Sequence, residues 1–194
     1  MNLNYPDGAT PLANEELSDL LPEHVTNRAQ LDELEQTNIA RADQWASKAA
    51  IKTVAAETFL RRLHKEMFGN VWRWAGTFRR TEKNIGVAPD QIAVRLRDLC
   101  NDVNAWIEHS SYSQDEIAAR FHHRLVYIRP FVNGNGRHAR MVTDLLLEKN
   151  LSQARFTWGR TNLNKTGEAR SGYLNALKAA DHNDYGPLLE FVRT

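Results

Sequence analysis

Sulfur chemistry is nearly absent from this chain. Cys100 is the only cysteine, so no internal disulfide can form, which suits a reducing, cytoplasmic setting. It falls among Leu96, Leu99 and Val103 and reads as a small buried apolar residue rather than a nucleophile. Long apolar runs are missing too, and none approaches membrane-spanning length. The opening MNLNYPDGATPL has no basic stretch followed by an apolar one, so no secretory leader is read. Neither sign of charge is in excess: 25 basic residues face 24 acidic ones, a net charge of +1. That balance excludes the broad basic field of a dedicated nucleic-acid binder, while local positive clusters remain open. No internal repeat and no low-complexity tract interrupts the chain.

What is present is an ordinary globular balance, 42% apolar and 25% charged over 194 residues, enough for one domain with a core and a small appendage. Most of it reads as helix. Asn14 to Leu21 forms a short helix stopped by Pro22, and Tyr5 to Pro11 is turn-rich. Thr26 or Asn27 opens a long helix to about Ala50, with Leu31, Leu34, Asn38, Ala42, Trp45 and Ala49 on one face. A third helix runs from about Val54 to Met67, its inward residues Phe59, Leu60, Leu63 and Met67, and Gly69 ends it. In GTFRRTEKNIGVAPD the helical spacing breaks, and Phe78, Ile85 and Val87 predict an irregular hairpin from Thr77 to Ala88, the only β element. Pro89 and Asp90 start a helix to about His109. Ser113 and Glu116 make a capping box for a helix carrying Ile117, Phe121, Leu125 and Ile128. Further helices follow from Gly136 or Arg137 to Lys149, from Glu168 to Ala180 and from Tyr185 to Val192.

Between two of these helices lies YIRPFVNGNGRHAR, residues 127–140. Backbone N–H groups in a tight glycine turn make an anion-binding concavity, and the following helix adds its positive end. Arg137 stands in the first turn of that helix and Arg140 three residues on, near one face, where two guanidinium forks can grip two phosphates. The plainer reading is a helix–helix turn with solvated arginines. The density of GNGRHAR between two apolar helices favours the anion site.

Pro130, Phe131, Gly134, Asn135, Gly136, Arg137 and Arg140 resemble the signature of the Fic (filamentation induced by cAMP) family: His-Pro-Phe, two variable residues, Gly-Asn-Gly-Arg, two more, then Arg. FHHRLVYI is similar to the helix that precedes the signature, and RRLHKEMFGNVWRWAGTFR to the family's LH…F…WAG…R segment. The YPDGATPL start and RFTWG near the end look most like the mobile mystery protein B subgroup. The resemblance implies a mostly α fold, a Fic-like helical bundle with a central helix–glycine loop–helix unit and one β-hairpin flap. It implies an N-terminal extension over 1–25 and a Fic-like domain over 26–194, best matched over about 54–160. It further implies protein adenylyltransferase (AMPylator) activity: transfer of AMP from ATP, with Mg2+, to a Tyr, Thr or Ser hydroxyl of a target protein. Phe131, Asn133, Gly134, Asn135, Gly136, Arg137 and Arg140 would bind the nucleotide. The flap, residues Arg79, Arg80, Thr81, Glu82, Lys83, Asn84, Ile85, Gly86 and Val87, would dock the target as an added strand. A partner antitoxin or DNA-binding regulator is the family-level expectation, with no direct nucleic-acid or membrane contact.

Two positions depart from the signature. Arg129 stands where the family has its histidine base, and a guanidinium cannot accept a proton near neutral pH. Losing a positioned general base typically costs about 10² to 10⁴ in rate, so AMP transfer is expected to be very weak or absent. Asn133 stands where an Asp or Glu usually holds magnesium, which leaves at best a weak metal ligand. His122, His123 and His138 are read as structural rather than as replacement bases. A non-catalytic nucleotide-binding or regulatory protein, or a Fic-fold transferase of another phosphate-containing group, remains open.

Glu35 in LDELEQTN sits close to an apolar face, in the register of the family's inhibitory glutamate. It is either a solvated helix glutamate or a brake paired with Arg140. Trp72 and Trp74 read as core beneath the hairpin. Arg79, Arg80 and Lys83 read as a solvated hairpin edge with target docking superimposed. TWGRTNLNKTG reads as a polar loop able to close the nucleotide pocket.

Overall fold

A computed structural model describes residues 12–160, 163 and 167–194. The turn-rich Tyr5 to Pro11, all of the YPDGATPL start but Leu12, and much of TWGRTNLNKTG therefore lie outside the described residues. Eight α-helices carry the described chain: α1 Asn14–Leu17, α2 Arg28–Lys48, α3 Glu57–Phe68, α4 Ile92–Glu108, α5 Gln114–Ile128, α6 Asn135–Asn150, α7 Glu168–Asp181 and α8 Gly186–Arg193. No helix among them is long and apolar enough to cross a membrane.

The helices form where their apolar residues share a face. Leu60, Leu63 and Met67 on α3, and Ile92, Leu96, Leu99 and Val103 on α4, have no exposed surface. Each buried side chain of this size contributes roughly 1.5 to 3 kcal/mol. Asn27 caps α2 by accepting the Gln30 N–H at 3.0 Å. Ser113 caps α5 by accepting from the Glu116 N–H at 3.3 Å, while the Glu116 carboxylate turns forward to Arg120 at 2.8 Å instead of completing a capping box. The α5 helix is central and packs on α4, α6 and α8. Across the other side, α2 lies on α3 and reaches α6. Cys100 is buried, and burial with Glu57 nearby pushes its thiol up to about 11, so it is inert as expected.

Two expectations need correcting. The first helix stops at Leu17 rather than Leu21. The chain beyond it pairs sideways instead: Leu21 N–H donates to Val71 O at 2.9 Å, and Arg73 N–H to Asp19 O at 3.0 Å. The hairpin over 77–88 is an irregular loop, and no strand ladder exists among the described residues. Its one bridge joins Phe78 to Phe131, outside the loop. The reason is a side chain. The Arg79 guanidinium sits inside the loop and takes the Thr81 and Val87 carbonyls, which a ladder would have needed.

Candidate functional site

The α5 helix ends on Arg129 in the left-handed conformation, φ 49° and ψ 66°, and Pro130 prevents its continuation. The next turn is closed by one side chain. Asn135 Oδ1 accepts from the Phe131 N–H at 3.0 Å, and its Nδ2 donates to the Phe131 carbonyl at 2.8 Å. Asn135 therefore shapes the loop with its side chain. Gly134 is required twice over: its φ is +77°, and a Cβ there would lie 2.6 Å from the Phe68 ring. The α6 helix begins at once, with His138 N–H donating to Gly134 O at 2.9 Å. Phe131 has no exposed surface, so its ring anchors the loop from below.

Beneath the loop lies a residue that the sequence reading gave no role. His64 accepts the Gly76 N–H on Nδ1 at 3.0 Å, which leaves Nε2–H to donate to the Asn133 carbonyl at 3.0 Å. Its ring stacks on Phe131 with centroids 3.7 Å apart. Burial, with His138 and Arg137 nearby, holds its pKa well below the usual imidazole range. Neutral His64 thus ties the WAG segment to the glycine loop. The available signal was its place as the histidine of the LH…F…WAG…R segment, on the apolar face of α3.

Above the loop the charges converge. The 16-residue α6 is capped at Gly134, and the N–H groups of its first turn, Asn135 to Arg137, have no partner within the helix, while the Gly134 N–H goes to Asn133 Oδ1. A Cβ on Gly136 would stand 3.8 Å from Arg140 Nη1, so that guanidinium borders the glycine turn. Arg140 is hydrogen-bonded to Tyr173, whose hydroxyl also meets His122 Nε2 at 2.8 Å. Burial lowers the pKa of Arg140, and neighbouring Arg137 and Arg170 lower it further. Arg129 is held down to about 10 by burial, with Arg79 and Arg170 adding to the effect, and it remains protonated at neutral pH. Cations pressed together in this way gain most from an added anion.

The two signature arginines do not act as a matched pair. Arg137 lies over the Phe68 ring at 4.9 Å and pairs with Glu35 at 2.6 Å. The expected partner of Glu35 was Arg140; its partner here is Arg137. The reason is rotational: Arg137 faces α2, whereas Arg140 faces α7 through Tyr173. Glu35 is 4% exposed, which overturns the solvated alternative, and its other oxygen accepts from Trp72 Nε1 at 2.6 Å. Trp72 stacks on Trp74 at 5.0 Å, and both are buried, as core residues should be.

Beside Arg137 and Arg140 opens a cavity of about 240 Å³, also lined by Gln36, Ile39, Asp144 and Trp158. Burial pushes the Asp144 carboxyl up to about 7, although Trp158 Nε1 and the Phe156 N–H both donate to it.

The residues fit a polyphosphate better than a tightly held metal. Asn133 Oδ1 accepts from the neighbouring Gly134 N–H at 2.6 Å, so its amide oxygen is already used within the turn. No group of three metal-ligating His, Cys, Asp or Glu side chains occurs among the described residues. The three histidines nearest the signature are bonded within the fold: His122 meets Tyr173, His123 meets Asp181 at 2.8 Å, and His138 meets Leu60 O at 2.9 Å.

The loop over 79–87 crosses beside Arg129. Arg79 N–H donates to Pro130 O at 2.9 Å, and Arg79 Nε to Arg129 O at 2.8 Å. A Cβ on Gly86 would come within 3.1 Å of Arg129 Cβ. The solvated-edge reading is corrected: Arg79 is 2% exposed and the Lys83 side chain 6%, because carbonyls and a carboxylate satisfy them, while Arg80 is exposed. Thr81, Glu82, Asn84, Ile85 and Gly86 face solvent, and Val87 is half-buried.

Residues 54–147 match the Fic/DOC family model. A protein adenylyltransferase Fic of Drosophila virilis is 31% identical over 136 residues, 67% of this chain and 26% of that protein. The chain thus spans about a quarter of the length of that curated relative. Among solved structures, the BepC effector of Bartonella tribocorum with bound AMPPNP has a TM-score of 0.69 at 17% identity, covering 93% of this chain and 97% of that one. The N-terminal Fic domain of a Bartonella quintana effector with bound ADP has a TM-score of 0.66 at 21% identity, covering 88% and 86%.

Proposed function

We propose, from the premise that residues 54–147 of this chain are a Fic/DOC family domain, that the chain is an ATP-binding AMP-transfer scaffold with its base position blocked. The observation that carries this is the junction of glycine turn, α6 N-terminus and converging guanidinium groups. Backbone N–H groups of 134–137 take the phosphates, and Arg140 takes the tail. A magnesium ion would supply charge neutralisation to the phosphates, and the Asn133 amide oxygen, taken here by the Gly134 N–H, would be at most a weak protein ligand for it. The loop over 79–87 docks a target protein and brings its Tyr, Thr or Ser hydroxyl to residue 129.

In the transfer, the hydroxyl oxygen bonds to the α-phosphorus, the bond to the bridging α–β oxygen breaks, and pyrophosphate leaves. The hydroxyl proton must go to a base. Protonated Arg129 cannot take it, and His64, His122 and His138 are buried in other bonds. The chain as it stands therefore transfers AMP poorly while keeping its phosphate cradle.

Glu35 restrains the same cradle by holding Arg137 away from phosphate, a brake acting on the first signature arginine. The second reading, a nucleotide-binding regulatory protein, is favoured by that same fixed cation at residue 129. Family resemblance to the mobile mystery subgroup adds a paired antitoxin or regulator and a cytoplasmic, bacterial setting to the proposal.

The test uses Arg129→His with ATP labelled at the α or the γ position. Label on protein from the α position alone is the expected result. Label from γ points to another phosphate-containing group. Tight ATP binding with no label from either supports the regulatory reading.

A further inference from the structure

A loop without a strand ladder needs another means of keeping its shape. Arg79 holds the inside of the 79–87 loop. The outside is held by Glu16, on the short helix α1, far away in sequence. Glu16 is 8% exposed, and its carboxylate accepts from the Ala13 N–H at 2.8 Å, from the Thr81 hydroxyl at 2.9 Å and from the Lys83 ammonium. The side chains of Lys83 and Glu16 are only 6% and 10% exposed. Burial alone would raise the pKa of Glu16; Lys83, the Ala13 N–H and Thr81 together outweigh it and lower the value. A buried, fully bonded ion pair in a surface loop selects one geometry more than it adds net stability.

The post that carries Glu16 is itself fixed. Trp74 Nε1 donates to the Glu16 carbonyl at 3.3 Å, and residues 19–21 pair with 71–73 immediately before the loop. At the loop's far arm, Gly86 lies between Arg79 and Arg129, where an added Cβ would come within 3.0 Å of Arg79 Nη2.

We infer that Glu16 is a positioning residue that latches the 79–87 loop over residue 129 through Thr81 and Lys83. On the reading of this loop as the docking surface, the latch sets where an acceptor hydroxyl enters. The segment before the family domain is then part of the site's architecture.

Limited trypsin digestion at exposed Arg80, read by mass spectrometry, tests this on the full chain. Glu16→Ala should speed cleavage after Arg80 by about tenfold, since local opening controls access. Glu16→Gln, which keeps the shape and loses the charge, should fall between. Glu16→Lys should be as open as Glu16→Ala, and adding Lys83→Glu should restore most of the protection. ATP affinity by calorimetry should stay within about twofold in Glu16→Ala, because the latch and the glycine turn share no bond. Cleavage of Glu16→Ala at the parent's rate overturns the latch, as does an exchanged pair no better protected than Glu16→Lys alone. The digestion uses no nucleotide, so a parent that binds no ATP would defeat the proposed function and leave the latch result standing.

Discussion

The glycine loop and the 79–87 loop meet at residue 129, yet the balance of local and distant bonds that holds each is different. The glycine loop is closed from within: Asn135 bonds both backbone groups of Phe131, four residues away, and Gly134 alone fits against Phe68. The neighbouring loop is held within by Arg79 on the Thr81 and Val87 carbonyls and is tied from outside by Glu16, which reaches Thr81 and Lys83 across 65 and 67 residues. On the proposed function the difference separates two tasks. A phosphate cradle must be the same before and after its ligand arrives, which local bonds secure. A docking loop needs a defined shape that can still yield, which a few exchangeable long-range bonds allow.

The junction itself should give the largest effect. Arg129→His places an imidazole beside both loops and should raise AMP transfer by about 10² to 10⁴, measured with α-labelled ATP. Next comes the locally closed loop. Gly134→Ala forces a side chain into a left-handed backbone and into the Phe68 ring, and should cost about 3 kcal/mol in denaturant unfolding with loss of ATP binding. If that variant is as stable as the parent, the contrast between local and distant closure fails.

The contrast also explains what could be read from sequence. Pro130 to Arg140 contains its own logic: the glycines, the asparagine and the arginines of the proposed cradle are neighbours in the chain. The amphipathic helices were legible for the same reason, through Leu60, Leu63 and Met67 or Ile117, Phe121 and Leu125. The 79–87 loop was misjudged because Phe78, Ile85 and Val87 are strand-type residues on either side of EKN, and nothing nearby shows that the Arg79 guanidinium occupies the ladder's carbonyls. Glu35 could be placed near an apolar face by spacing, but its partner lies 102 residues on, and only the rotation of α6 decides between Arg137 and Arg140. His64 gave no local sign of its two long-range bonds.

Smaller effects sharpen the distant half of the comparison. The folded pKa of Asp144, about 7, lies above its unfolded value of about 3.9, so its protonated form is the favoured one in the fold. Stability of the parent relative to Asp144→Asn should fall as pH rises from 4 through 7, by about 3 kcal/mol, in denaturant titrations at several pH values. A pH-independent difference would mean that the carboxyl ionises as freely folded as unfolded. Glu35→Gly frees Arg137 and should tighten ATP binding about tenfold by calorimetry, with a lower unfolding midpoint because Trp72 Nε1 loses its acceptor. Unchanged affinity would show that Glu35 is structural only.

The most direct measurement is a crystal structure of the unaltered chain with a non-hydrolysable ATP analogue. The account predicts phosphate oxygens about 3 Å from the backbone N–H groups of the 134–137 turn and from the Arg140 guanidinium. An analogue seated elsewhere, with that turn closed to it, would contradict the account.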